Sequence, residues 1–322
     1  MGLEVLDPGL ASSVQDLGRT GYYRYGIPTS GALDAFSALA ANLLVGNDEG
    51  AAVIESTYTG PRLRFDAPAV VAVTGADMPV QINGTDVEEW TALTVDAGDE
   101  LSFGFLTAGA RIYIAVRGGI DVPEVLGSRS TYLLGGFGGH EGRMLRAGDR
   151  LSIGADPARP AGGQVPAELR PALTRQAEVR VVMGLYDYRL TDRGRSDFLG
   201  TTWTLTPVAD RIGFRYTGGT LEWKERVQPF GAGADPSNIV DAGYPIGSIQ
   251  VPSGAEPIVL HRDAVSGGGY AMIATVISAD LDSVGQHSPG TQTRFVAVSL
   301  DEALQARAER NRRVGRLREA VG

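Results

Sequence analysis

Ala92-Leu93-Thr94-Val95-Asp96-Ala97-Gly98-Asp99-Glu100-Leu101-Ser102-Phe103-Gly104 sets two short runs, ALTV and ELSF, on either side of a glycine-containing turn. Runs this short, each stopped by glycine, suit strands joined by tight turns. The same style surrounds them in AVVAVTG (69–75), PVQINGT (79–85), RIYIAVRGG (111–119) and MLRAGDRLSIG (144–154). The stretch from Leu63 to Gly154 therefore reads as antiparallel sheet, in a barrel or a sandwich.

On the N-terminal side, Leu33, Phe36, Ala40, Leu43 and Leu44 recur at three- and four-residue intervals, which predicts a helix over 30–45. Thr29 or Ser30 can cap it, Asp34 sits in its first turns where the dipole favours a carboxylate, and Gly46 can close it. On the C-terminal side, residues 155–175 are rich in Pro, Ala and Gly and read as a linker. Strand-like runs then resume in EVRVVMG (178–184), TWTL (202–205), GSIQVP (247–252), EPIVL (256–260), YAMIATVI (270–277) and TRFVAVSL (293–300). The arginine-dense stretch Leu300 to Val321 is helical in pattern, with either a solvated or a partner-docking outer face.

The halves share words. Tyr58-Thr59-Gly60-Pro61-Arg62-Leu63-Arg64-Phe65 matches Tyr216-Thr217-Gly218-Gly219-Thr220-Leu221-Glu222-Trp223 in a YTG-x-x-L-x-aromatic pattern, and Val80-Gln81-Ile82 matches Ile249-Gln250-Val251. Both matches in one order predict duplicated barrels: an N-terminal domain over 1–154 and a C-terminal domain with a terminal helix over 176–322.

Composition narrows the chemistry. The chain of 322 residues is 43% hydrophobic and 21% charged, ordinary for a folded protein of about two domains. A net charge of −9 argues against nucleic acid and anionic membranes. No apolar run approaches the roughly 20 residues of a membrane span, and the start lacks a signal-peptide pattern, so a cytoplasmic location is expected. Without cysteine there is no disulfide, thiolate zinc site or cysteine nucleophile. His140, His261 and His287 are too scattered for a histidine metal motif, and Lys224 is the one lysine among 29 Lys and Arg residues. No metal site is expected.

Three polar clusters remain. His261-Arg262-Asp263 imitates a kinase catalytic loop, but Gly268 stands where that loop needs Asn, and no VAIK lysine or DFG is present. Its glycines lead into β-branched ATVI and not into a helix, which removes a P-loop. What remains is a strand, a charged turn, a flexible glycine bridge and a second strand, the glycines permitting positive φ and letting a ligand or another chain approach the backbone closely. The second cluster, VQDLGR (14–19) with GIPTSGALD (26–34), ends at the positive end of the predicted helix, where it can hold an oxygen or serve as an ordinary loop. The third, GSRST (127–131) with GGFGG (135–139), is an anion nest, a lid or a surface loop.

The strings VQDLGRTGYYRYGIPTSGALD, AAVIESTYTGPRLRF, LGSRSTY, GRMLRAGDRL, GSIQVP and EPIVLHRDAVSGGGY closely resemble the carboxyltransferase A/B-subdomain family. That family is also called KipA, allophanate hydrolase subunit 2 or the C component of 5-oxoprolinase, and the resemblance runs through nearly the whole chain in order. At residues 264–271 the chain departs from the family's usual Q-T-T-G-G-Y-P wording, which bears on the substrate.

The resemblance implies a mainly β fold of two cyclophilin-like barrels with a few helices, and an obligate KipI-like partner carrying the carboxyltransferase C/D subdomains. A third subunit of the LamB/YcsF type accompanies the 5-oxoprolinase arrangement. It implies a subunit of an amide-processing enzyme: an ATP-dependent 5-oxoprolinase, or a carboxyltransferase or hydrolase subunit of the urea carboxylase and allophanate hydrolase type. The alternative is a non-catalytic regulator that antagonises a KipI-like kinase inhibitor. A Gly-Gly-Ser-Ser amidase signature, a biotin-acceptor Met-Lys and an ATP-grasp pattern are all missing, so ATP or biotin would come through other subunits.

The family's substrates share a planar amide, and opening or carboxylating it requires polarising the carbonyl oxygen and moving a proton at nitrogen, so a donor array and a carboxylate base must face one another. Gln15, Arg19 and Gln250 can donate; Asp34, Glu55 and Asp263 can accept. The expected site joins the two polar stretches where the barrels meet. Asp263 is base or orienter there, Arg262 and Arg19 hold substrate oxygens, Tyr270 donates a hydrogen bond, and Ser266, Gly267 and Gly268 admit the ligand.

Overall fold

The structure is a computed structural model that describes residues 1–321. The chain forms two compact units. The first comprises Met1–Thr20, Ser30–Leu173 and the chain from Asn311; the second comprises Gly21–Thr29 and Thr174–Arg310.

The first unit contains β1 (Gly2–Asp7), β2 (Ala11–Gln15), α1 (Ala35–Leu44), β3 (Val53–Thr57), β4 (Arg62–Phe65), β5 (Ala69–Asp77), β6 (Val80–Ile82), β7 (Thr85–Val87), β8 (Ala92–Val95), β9 (Glu100–Phe103), β10 (Ala108–Val116) and β11 (Arg150–Ser152). Two antiparallel sheets form, in the orders β11-β1-β4-β9-β6-β7 and β2-β3-β10-β5-β8. They enclose one core in which Leu3, Val5, Leu63 and Leu101 of one sheet meet Val14, Ile54, Val73 and Ile112 of the other. The ALTV and ELSF runs become β8 and β9.

Helix α1 lies on the outer face of the five-stranded sheet, in a second core with Val53, Ala72, Tyr113 and Ala115. It is shorter than the predicted 30–45. Asp34 is its N-cap, accepting from the Ser37 N–H at 3.0 Å, while Ser30 adopts a left-handed φ of 52° that no helix can contain. Residues 155–173, expected as linker, belong to the first unit: Val165 and Leu169 are buried beside α1.

The second unit contains β12 (Gln176–Met183), α2 (Asp192–Gly200), β13 (Trp203–Ala209), β14 (Gly213–Thr217), β15 (Asn238–Gly243), β16 (Ser248–Gln250), β17 (Ile258–Leu260), β18 (Gly267–Tyr270), β19 (Met272–Val276), α3 (Leu281–Gly285) and β20 (Gln292–Ala297). Seven strands close a barrel in the order β12-β19-β16-β17-β14-β13-β20, with a parallel pair between β12 and β20. Trp203, Phe214, Tyr216, Ile249 and Phe295 fill it. β15 and β18 form a separate two-stranded ribbon. The last helix, α4 (Leu300–Val321), has the predicted bounds; its first half belongs to the second unit and the rest to the first.

The shared words hold only in part. The VQI and IQV words both lie in or at strands that precede a turn, β6 and β16. The YTG words differ: Tyr216 is a buried strand residue of β14, whereas Tyr58 lies in the loop after β3 with φ of 63°.

Candidate functional site

Side chains of a strand alternate between faces, so the partners that fill the first unit's core fix what lies on the other side. Val14, Ile54, Ile112 and Val73 point into the core. Their neighbours Ser13, Glu55, Tyr113 and Thr74 stand side by side across β2, β3, β10 and β5 on the outer face. α1 covers that row, so all four are buried.

This row organises the turn that leads into α1. The Tyr113 hydroxyl donates to Glu55 Oε2 at 2.8 Å and accepts from the Asp34 N–H at 2.8 Å. Glu55 Oε2 also accepts from the Leu33 N–H at 2.9 Å, and Gln15 Oε1 accepts from the Gly31 N–H at 3.1 Å. Asp34 accepts from the Ser37 hydroxyl at 2.5 Å, and Thr74 donates to the Ser37 carbonyl at 2.7 Å. Three side chains of the sheet thus fasten the backbone of residues 31–34.

Arg19 joins through a neighbouring segment. Its guanidinium donates to the Ser130 carbonyl and lies 4.9 Å from the Phe137 ring, while Gln15 Nε2 donates to the Thr131 carbonyl at 3.3 Å. Asp16 binds the same segment, accepting from the Ser128 hydroxyl at 2.7 Å and the Arg129 N–H at 2.6 Å. The GGFGG loop packs against it: a Cβ on Gly138, whose φ is 72°, would collide with the Ser130 carbonyl. Besides a nest, a lid or a surface loop, this stretch can therefore act as a wall of the cluster. A cavity of about 470 Å³ lies on the loop, bordered by Gly136 to Gly142, Asp121 and Arg150.

The electrostatics are unusual for a fold interior. Arg19, Asp34, Glu55 and Arg111 are each at most 2% exposed. Burying charge costs several kcal/mol per ion unless partners compensate, and such groupings concentrate at functional sites. Burial, then the charges of Glu55 and Asp34, hold the Tyr113 phenol well above its ordinary range against the opposing pull of Arg111. Tyr113 therefore stays a neutral donor. Burial likewise raises Tyr58, again opposed by Arg111.

The four expected residues of the first unit, Gln15, Arg19, Asp34 and Glu55, thus lie in one network. Arg111, Tyr113, Ser130 and Ser37 belong to it and were not anticipated. The signal for two of them is in RIYIAV, where Arg111 and Tyr113 alternate with Ile112 and Ile114.

In the second unit the expected residues have other surroundings. Asp263 turns both oxygens to Arg211, at 2.8 and 3.2 Å, and both partners are buried. Backbone bonds from Asp263 N–H to the Arg211 carbonyl and from His261 N–H to the Ile212 carbonyl fasten the same turn. With both oxygens committed to a guanidinium, Asp263 is a clamp between the turn before β14 and the turn after β17, and not an available base. Arg262 beside it is half-buried.

The glycines are not the flexible bridge expected. Gly267, Gly268 and Gly269 lack positive φ and form β18, pairing with β15. They are glycine because space is short: a Cβ on Gly268 would meet the Tyr244 ring at 3.1 Å, and one on Gly267 the Ala242 carbonyl at 3.0 Å. The Tyr244 hydroxyl donates to the Tyr270 carbonyl at 2.6 Å and accepts its N–H at 2.7 Å, and the Ser266 carbonyl accepts from the Tyr244 N–H at 2.8 Å. Tyr270 is 40% exposed. Gln250 ends β16, half-buried, facing Ile258 and Met272 in register.

Comparisons with known proteins agree with this architecture. Residues 25–297 match the carboxyltransferase domain, subdomain A and B. The chain is 36% identical over 311 residues to the C component of Escherichia coli 5-oxoprolinase, covering 96% of each. It is 36% identical over 315 residues to Lachancea kluyveri urea amidolyase, covering 94% of this chain but 17% of that protein. The crystal structure of K. lactis urea amidolyase superposes with a TM-score of 0.93 at 35% identity, over 98% of this chain and 20% of that one. These relatives are subunits or domains of enzymes, and this chain spans about a sixth of the urea amidolyases it matches. The chain belongs to the carboxyltransferase domain family, subdomains A and B.

Proposed function

We propose that this protein is a subunit of a multi-subunit enzyme that processes a planar amide, with 5-oxoproline, converted to glutamate with ATP, as the first substrate and urea as the second. The similarity to a separate 5-oxoprolinase component over 96% of both chains favours the first. The names of the relatives share one chemical feature, an amide carbonyl beside N–H.

The observation that carries the reading is the buried set of two guanidinium groups, Arg19 and Arg111, and two carboxylates, Asp34 and Glu55, at the start of α1. A guanidinium polarises an amide oxygen, and a carboxyl group moves the proton at nitrogen, onto it when the C–N bond of 5-oxoproline breaks and off it when urea nitrogen is carboxylated. Both carboxylates are hydrogen-bonded, Glu55 to the Tyr113 hydroxyl and the Leu33 N–H and Asp34 to the Ser37 N–H and hydroxyl; Asp34, at the N-terminus of α1, is the one assigned as base. The α1 N-terminus adds a favourable field for developing negative charge.

ATP and biotin do not fit this chain's own residues. The single lysine, Lys224, donates to the Tyr188 carbonyl at 2.9 Å between Trp223 and Glu225, unlike a biotin acceptor, and no phosphate-binding lysine loop exists. These groups belong to companion subunits, a KipI-like one first and a LamB/YcsF-type one in the 5-oxoprolinase arrangement. Assembly with those subunits, followed by assays of ATP-dependent glutamate release from 5-oxoproline and of bicarbonate-dependent ATP cleavage with urea, tests the reading. Tight assembly with no turnover in either assay would favour a regulator.

A further inference from the structure

Ser30 combines two unfavourable features that nothing in the fold requires. It is fully buried, and its hydroxyl has no hydrogen-bond partner among the described residues. Its backbone is left-handed, with φ of 52°, a region that favours glycine. Glycine here would remove both costs together.

The usual reasons for a serine do not apply. The cap of α1 is Asp34, and the turn is fastened by Gln15, Glu55 and Tyr113 at Gly31, Leu33 and Asp34. Volume alone would be met by alanine. A buried polar atom without a partner calls for a specific explanation, and strained residues cluster where ligands bind.

We infer that Ser30 is a ligand-contacting residue of the buried cluster, its hydroxyl completing one hydrogen bond to a polar atom of the bound amide. A hydroxyl can donate to a carbonyl oxygen or accept from N–H, so it can meet either side of an amide. The hydroxyl is covered in this structure, so the contact forms as the turn yields to the entering ligand. The bond gained on binding then offsets the desolvation of the hydroxyl. This inference rests on the amide reading above and deepens it.

The test uses the assembled complex, with 5-oxoproline and urea as probes. Ser30→Gly is expected to raise Tm, because strain and an orphan hydroxyl both disappear, and yet to weaken binding of the accepted probe about 10- to 100-fold. Ser30→Ala, which keeps the strain, should weaken binding equally. In both, KM rises while kcat changes little, a split that a merely structural residue would not produce. Wild-type binding by both variants, with Asp34→Asn inactive, would overturn the role of Ser30 and leave the site standing. No binding of either probe to the wild type would overturn the substrate reading and this inference together.

Discussion

In the second unit Asp263 closes both oxygens on Arg211, whereas in the first Asp34 and Glu55 turn theirs to backbone amides and hydroxyls at the mouth of a helix, beside two buried arginines. The residue types are the same and the outcome differs. A pair that satisfies itself is a fastener, and its charge is spent on holding a turn. A cluster that holds a turn while Ser30 keeps an unpaired hydroxyl retains capacity for a ligand.

Several changes would break or sharpen that contrast. Arg211→Ala leaves Asp263 buried without compensation and should cost the second unit about 3–5 kcal/mol. Hydrogen exchange resolved along the chain should place the loss in residues 174–310; an equal loss in the first unit would contradict the fastener reading.

The two units should also answer pH oppositely. Burial holds His287 down at about 4. Below its ordinary 6.5 the unfolded chain takes up a proton first, so the second unit loses up to about 3 kcal/mol as pH falls from 6.5 to 4. Urea unfolding at pH 7 and 4.5 measures this, and His287→Gln should flatten it. Tyr113→Phe removes the hydroxyl shared by Glu55 and the Asp34 N–H and should cost about 2 kcal/mol, read by the same unfolding.

The smallest effect is at Glu89, which burial lifts to about 7, with the Met78 N–H opposing and Asp77 adding. Here the unfolded carboxyl ionises first, so stability falls as pH rises from 4.5 to 7. Glu89→Gln should gain about 1 kcal/mol at pH 8, a small effect because solvent reaches the half-buried Glu89.

Much of this was legible in the sequence, for physical reasons. Short apolar runs stopped by glycine pointed to β5, β8, β9, β10, β12, β19 and β20, because tight turns need glycine where the runs end. The strand β2 was hidden: Ala11–Gln15 carries Ser12, Ser13 and Gln15, polar residues that are buried on both faces of the strand and so break the apolar alternation. Asp34 and Glu55 were named for their chemistry, and the register of β2, β3 and β10 supplied their company. Asp263 misled because a charged triplet beside glycines looks the same whether its aspartate faces a ligand or an arginine 52 residues away. GGGY misled similarly, since glycine placed for close packing and glycine placed for positive φ are one letter.

The most direct measurement sets the two aspartates against each other in the complex with the proposed companion subunits. Asp34→Asn keeps a good helix cap while removing the charge and one of the two oxygens that accept from Ser37; turnover should fall at least about 100-fold. Asp263→Asn should lower Tm while retaining most of the turnover at a temperature where the protein is folded. Full turnover in Asp34→Asn with loss in a folded Asp263→Asn would contradict the account.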